Sequence, residues 1–414
     1  VFKGLPDDNG LFMPTSIPQL PQSFFDTIED KSFPEIAFEV AKTLIGDEIP
    51  ADDLKALIED AVNFEAPVVN IHDNINVLEL FHGPSFAFKD FGARFMSRIM
   101  SYFHKKNDKN INILVATSGD TGSAVGTGFL GIDGIHVTIL YPSGKVSLNQ
   151  EKQLTTLGQN ITALEVDGVF DDCQRLVKSA FLDKELTSKL NLSSANSINI
   201  ARLVPQSFYY FWAYAQLKKQ GKPIVFCVPS GNFGNICGGL IAQKMGLPVE
   251  KFIASTNVND IVPHYLETGL FEAKPSKSTI SNAMDVGNPS NFPRMIALFD
   301  NDYNKVTEHI VGKSYDDDET KLAMKEVYDK HGYVMCPHTA VGYLGLTSYL
   351  DESASKATGV LLSTAHPAKF DDVVDPILDT KIEMPPQLKA ISERKKVAIQ
   401  MSGDFEDFKA YLLK

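Results

Sequence analysis

From residue 111 onward the chain alternates short apolar runs with helix-length stretches, and this alternation restricts the fold more than any other feature. INILVA, IHVTIL, ITALEV and IVFCV are separated by segments such as FDDCQRLVKSAF and SFYYFWAYAQL, and KFIAST and GVLLST continue the series. Strands spaced this way are joined by crossovers, so they build parallel sheets covered by helices. The first eighty residues read as helical instead. PEIAFEVAKTLIG sets Ile36, Val40, Ala41, Leu44 and Ile45 at helical spacing, with Pro34 early and Gly46 as a stop. DDLKALIEDAVNF repeats the pattern through Leu54, Leu57, Ile58 and Val62. A chain of 414 residues exceeds one ordinary core. The expected organisation is a helical lobe over 1–80, two α/β lobes over 81–380 with the smaller at roughly 90–205, and a C-terminal extension over 381–414.

Charge and cysteines narrow the function. A net charge of −13 argues against a general binder of nucleic-acid backbone, so any phosphate is handled in one local pocket. Cysteines 173, 227, 237 and 336 form no C-x-x-C pair, which suggests neither a zinc site nor a disulfide framework. Reduced thiols fit a cytoplasmic setting. No apolar run approaches a membrane span, and VFKGLPDDNGLFMP lacks the order of a signal peptide.

Ligands of open α/β sheets gather beyond the carboxyl ends of the strands, and three unusual loops fall there. IVFCV runs into PSGNFGNICGG, where Gly231 and Gly234 let consecutive amides face one point at a helix N-terminus. That is a phosphate cradle, or else an ordinary Gly-Asn turn. INILVA runs into TSGDTG, whose Ser118 and Thr121 hydroxyls suit a carboxylate; Asp120 taken alone reads as a helix cap. GVLLS runs into TAHPAKF, which offers Thr364 as a neutral hydroxyl and His366 as a packed loop histidine. Upstream, FHGPSFAFKDFG surrounds Lys89 with Phe86, Phe88 and Phe91. A lysine is drawn into such a setting for a buried ion pair, or because its amine is needed as a nucleophile or imine partner. The aromatic residues can equally be core, since Phe91 and Phe95 fit the inner stripe of the next helix. A buried lysine, a phosphate cradle, a carboxylate loop and a neutral hydroxyl together are what pyridoxal phosphate needs.

The stretches HGPSFAFKDFG, ATSGDTGSAV, SANSINIARL, VPSGNFGN, NVNDIVP, SNAMDVGNPSNFPR and STAHPAKF, in this order from GLFMP to HPAKF, closely resemble the threonine synthase family in its longer-chain branch. SGNFGN alone occurs across the wider tryptophan-synthase-β-like pyridoxal-phosphate enzymes; the combination with SNAMDVGNPSN is far more specific. The resemblance implies the tryptophan-synthase-β-like fold: two α/β lobes with parallel-rich sheets, the cofactor between them, and an N-terminal helical lobe. It implies a short further segment before Val1. It assigns Lys89 to the imine with pyridoxal 5'-phosphate, and Gly231, Asn232, Phe233, Gly234 and Asn235 to the cofactor phosphate. Thr364 would face the pyridine nitrogen and Asp120 the ring hydroxyl. Ser118 and Thr121 are assigned to the substrate, and Asn196, Ser197 and Arg202 to its phosphate, for which a guanidinium offers bidentate bonds. Arg202 could instead be a surface ion pair. Asn282, Asp285 and Asn288 are expected to line the pocket without an assigned role. The implied reaction converts O-phospho-L-homoserine and water into L-threonine and phosphate, with no metal, and a monomer is favoured over a dimer. The alternatives are a related dehydratase or β-replacement enzyme, against which SANSINIAR speaks by offering a second phosphate site, and a non-catalytic binder of phosphorylated metabolites.

Overall fold

The computed structural model describes residues 1–4, 6, 8, 10–105 and 110–414. Two sheets organise them. The larger has six strands, β1 (Val68–His72), β2 (Ile75–Glu79), β7 (Ile224–Pro229), β8 (Lys251–Thr256), β9 (Ile310–Ser314) and β10 (Thr358–Ser363), in the order β1-β2-β10-β7-β8-β9. All its pairings are parallel except the β1–β2 hairpin. The smaller sheet holds β3 (Ile111–Ala116), β4 (Ile135–Pro142), β5 (Ile161–Val166), β6 (Leu192–Ser194) and β11 (Ile399–Met401), in the order β11-β5-β4-β3-β6, wholly parallel. The central strands β7 and β10 are buried along their whole length, as expected where helices cover both faces of a sheet.

The helix Phe33–Ile45 forms as its sequence dictates. Ser32 and Glu35 close a capping box, Pro34 sits in the first turn, and Gly46 ends the helix at φ 67°. Its buried face, Ile36, Ala37, Val40 and Ala41, shares one core with Leu54 and Ile58 of the helix Ala51–Ala61 and with Phe91, Phe95, Phe208 and Phe211. These helices therefore buttress the helix Lys89–His104, which begins at the buried lysine.

One stretch differs from expectation. Residues 68–79 are not helical but form the β1–β2 hairpin, and β2 pairs with β10 in the middle of the larger sheet. The C-terminal extension packs onto the smaller lobe. β11 forms an edge of the smaller sheet beside β5, and Phe408 of the helix Phe405–Leu412 is buried with Leu176 and Val177. Lys396 ties the segment down through Glu151 at 2.7 Å and Glu165 at 2.6 Å.

Candidate active site

All three strand-end loops and the lysine loop open into one cleft between the lobes. Lys89, Ser118, Asp120, Thr121, Asn196, Ser197, Arg202, Gly231, Asn232, Phe233, Gly234, Asn235 and Thr364 all line it. The lysine loop and the β10 loop hold each other by backbone pairing. Phe88 N–H donates to Thr364 O at 2.9 Å, His366 N–H donates to Phe86 O at 3.0 Å, and Ala87 bridges Ala365.

The Lys89 side chain is 17% exposed, with its Nζ 4.0 Å from Asp120 Oδ2. Burial pulls its ammonium down to about 8, Asp120 opposes this, and Lys369 and Arg202 add to it. Of the three surrounding phenylalanines only Phe88 presents its ring to the ammonium, at 5.5 Å to the centroid. Phe91 turns away into the core against Phe33, Phe64 and Tyr209, and Phe86 packs on His366. His366 is the packed loop histidine expected: its Nδ1 accepts from Ala368 N–H, and burial lowers it to about 4.

Asp120 does not cap its helix. That service falls to Thr117, whose Oγ1 accepts from Gly119 N–H and Gly122 N–H, both at 2.9 Å. The Asp120 carboxylate points to a cluster instead: Oδ1 lies 2.7 Å from Lys369 Nζ and accepts from Gln150 Nε2 at 2.9 Å. Burial pushes its pKa upward, but Lys369 and Lys89 outweigh burial and hold it well below the ordinary carboxylate range. Lys369 itself is fully buried and donates a second bond to Ser85 O at 2.7 Å.

In the SGNFGN loop the left-handed residue is Phe233, at φ 60°, rather than either glycine. Gly231 is required by close approach: a Cβ there would sit 2.8 Å from Ala283 O and 2.9 Å from Met284 Cα. Among the described residues the N–H groups of residues 231–235 donate to no protein acceptor, and they precede and open the helix Gly234–Lys244. Asn235 Oδ1 is taken by the Tyr209 and Tyr210 hydroxyls at 2.7 and 2.8 Å, which leaves its buried Nδ2 without a partner. Unpaired amides at a helix start, with a buried donor beside them, fit an anionic phosphate. Thr364, at the end of β10, is 6% exposed, and its hydroxyl makes no hydrogen bond among the described residues. With a buried lysine opposite, these groups suit pyridoxal phosphate.

The SANSINIAR residues divide in role. Arg202 is 2% exposed and pairs with no carboxylate among the described residues, which excludes a surface ion pair. One end of its guanidinium donates to Ala195 O, its Nε has no partner, and burial lowers it to about 10. The Asn196 amide is already committed: Nδ2 donates to Ala116 O at 2.7 Å, and Oδ1 accepts from Ala116 N–H at 3.3 Å. Ser197 Oγ accepts from Asn291 Nδ2 at 3.0 Å.

The NAMDVGN loop corrects one expectation. Ala283 and Met284 line the cleft, whereas Asn282, Asp285 and Asn288 do not. Asp285 knits its own loop, accepting from Thr279 Oγ1 at 2.7 Å and Asn257 Nδ2 at 2.9 Å. Asn282 reaches Gln150, and Asn288 is exposed. Sequence reasoning passed over several residues that shape the cleft. Lys369 and Gln150 hold Asp120. His338 lines the cleft as a buried histidine accepting from Ala283 N–H, lowered by burial to about 4 against the pull of Asp120. Arg294 donates to Ser197 O at 2.9 Å and to Asn291 Oδ1 at 2.8 Å. A lysine inside an apolar HPAKF run was the one visible signal among them.

A cleft between two α/β lobes, with a buried lysine facing an amide cradle and a neutral hydroxyl, defines a pyridoxal-phosphate-dependent enzyme. Residues 70–364 match the family model described as pyridoxal-phosphate dependent enzyme, residues 1–62 that of the threonine synthase N terminus, and residues 339–412 that of the threonine synthase C-terminal region. The threonine synthase of Haemophilus influenzae is 44% identical, over 100% of this chain and 96% of that protein. The crystal structure of threonine synthase from Escherichia coli superposes with a TM-score of 0.93 at 42% identity, covering 100% of this chain and 95% of that one. That of pyridoxal-phosphate-bound threonine synthase from Brucella melitensis gives 0.91 at 36% identity, covering 99% and 94%. The chain belongs to the threonine synthase family. It is a lyase of threonine biosynthesis that uses pyridoxal phosphate.

Proposed function

We propose that the substrate is O-phospho-L-homoserine, converted with water to L-threonine and phosphate, and that Lys89 moves the protons. The observation that carries this reading is the presence of two separate anion sites in one cleft, the free amides of residues 231–235 and the uncompensated guanidinium of Arg202. The amides hold the cofactor phosphate. Thr364 faces the ring nitrogen with a neutral hydroxyl, and Asp120, kept ionised by Lys369, stands on the side of the ring hydroxyl. When bound, pyridoxal phosphate supplies an electron sink for the carbanion formed beside the amino-acid nitrogen.

Lys89, lowered to about 8 by burial, carries an appreciable fraction of free amine near neutral pH. It takes the α-proton, and Nζ serves again when a β-proton leaves and a proton is returned to the γ-carbon. Arg202 receives the γ-phosphate and stabilises the charge that gathers on it as its bond to carbon breaks. Ser118 and Thr121, at the start of the helix Asp120–Phe129, hold the substrate carboxylate. Water then adds at the β-carbon. A dehydratase working on unphosphorylated substrates would have no use for a buried arginine lacking a carboxylate partner.

A monomer is proposed as the working unit, and the four free, buried cysteines support a cytoplasmic setting. The test combines chemistry and product analysis. Borohydride is expected to fix the cofactor on the peptide holding Lys89, and Lys89→Ala to abolish turnover. In oxygen-labelled water, threonine should carry the label on its β-carbon. Fixation at another lysine, or homoserine as the main product, overturns the reading.

A further inference from the structure

Asp120 is shared unequally between two lysines. Lys369 Nζ sits 2.7 Å from Oδ1, while Lys89 Nζ lies 4.0 Å from Oδ2, beyond hydrogen-bond reach. Lys369 is 0% exposed and is fixed at its other side by Ser85 O at 2.7 Å, an acceptor that also receives Gln153 Nε2 at 3.1 Å. Gln150 Nε2 holds the same Asp120 oxygen at 2.9 Å. The carboxylate is thus held toward Lys369 by two groups, Lys369 and Gln150, and its second oxygen approaches Lys89 without hydrogen-bonding to it.

We propose that Lys369 is a positioning residue that claims the Asp120 carboxylate as its own counter-ion, so that Lys89 is paired only weakly and more of its amine is unprotonated. The charge count requires this outcome. Lys369 and Asp120 form a neutral buried pair, and a protonated Lys89 would add an unmatched charge next to it. The other groups facing Lys89 do not supply the missing anion. Arg202, on the helix Ile200–Leu203, is a cation, and His338, on the helix Pro337–Ser353, is held neutral by burial. Asp90, next along the helix Lys89–His104, turns back to accept from Ser85 N–H at 2.9 Å. A lysine that must be a free amine, both to carry the cofactor and to take a proton, stands beside a carboxylate without being captured by it. Ser85 precedes Lys89 by one turn of chain, so the Ser85 bond also lets Lys369 set the position of the loop that presents the amine.

This inference rests on the assignment of Lys89, and the experiment separates the two. The cofactor-free full-length protein is acylated briefly at a series of pH values, and modification of the Lys89 peptide is quantified by mass spectrometry. Lys369→Met frees Asp120 to pair with Lys89, so the pH of half-maximal labelling should rise by about one unit or more. Asp120→Asn leaves the Lys369 charge unopposed and should shift it downward. The double variant, again neutral at the pair, should return close to the parent, and Lys369→Arg should keep the parent value. A purely structural lysine would lower the melting temperature and leave the labelling pH in place. Unchanged or lowered labelling pH in Lys369→Met overturns the proposal; if that variant does not fold, an unchanged or raised value in Asp120→Asn does so. Borohydride fixation at another lysine would refute the cofactor assignment alone, because the labelling series is run without cofactor.

Discussion

Replacing Arg202 by methionine should make the free enzyme more stable and a poorer catalyst. The guanidinium is 2% exposed, has one backbone acceptor in Ala195 O, and leaves Nε without a partner. Its fall from an ordinary 12.5 to about 10 corresponds to about 3 kcal/mol of penalty on the charged form. Methionine fills most of the volume without that penalty, and gives up one hydrogen bond worth about 1 kcal/mol. A net gain of about 2 kcal/mol is expected, which for a chain of this size raises the melting temperature by roughly 2 °C. In the proposed reading the phosphorylated substrate offsets the buried charge. Leaving its phosphate unmatched should cost about 2–5 kcal/mol, a loss of roughly thirtyfold to several thousandfold in affinity. Thermal melts of the cofactor-loaded protein supply the first number, and spectral titration with O-phosphohomoserine against homoserine supplies the second. Cofactor retention should be unchanged, because the proposed reading gives the other phosphate to the free amides of residues 231–235. A variant that melts lower and discriminates the two ligands as before would refute the argument. Loss of cofactor with substrate discrimination intact would show that the two anion sites had been exchanged.

Two further outcomes follow from packing and protonation. Gly231→Ala places a Cβ 2.8 Å from Ala283 O, an overlap that costs about 1–3 kcal/mol and pushes the amide loop off its seat; absorbance titration should show weaker cofactor binding together with a lower melting temperature. Asp90 is raised by burial to about 6, so its proton is bound more tightly in the folded state than in the unfolded chain. The Asp90 contribution to stability should therefore fall as pH rises from about 4 to about 6, and Asp90→Asn should remove that fall when melts at pH 4 and pH 7 are compared with the parent.

What the sequence revealed depended on how far a residue's surroundings lay from it along the chain. β3, β4, β5, β7, β8 and β10 were visible because strands buried on both faces read as unbroken apolar runs. β6 and β11 are three residues each and carry no period to read. β1 is only partly buried along its length, so VVNIH gives little pattern. The cleft residues were legible where a strand end, a glycine and a helix start coincide in sequence. Lys369 showed only as a lysine within HPAKF, because its partners Asp120 and Ser85 are remote in sequence. The turn at SGNFGN was read correctly as a turn but credited to its glycines. The left-handed conformation falls on Phe233 because its ring is buried, 3% exposed, in the core behind the loop.

The strand pairing also bears on how the protein is made. Asn76 of β2 pairs with Val360 of β10, about 280 residues later in synthesis. At about 5–20 residues per second the ribosome takes roughly 14–60 s to deliver that partner. Leu164 of β5 similarly waits for Ile399 to cover the edge of the smaller sheet. Each sheet therefore spends part of its birth with an open edge, the condition in which chains pair with the wrong neighbour. Thr364 lies just past β10, so Lys89 is synthesised long before the last loop of the cleft exists. A chain truncated before residue 364 therefore lacks the loop that pairs with Phe86 and Phe88 beside Lys89.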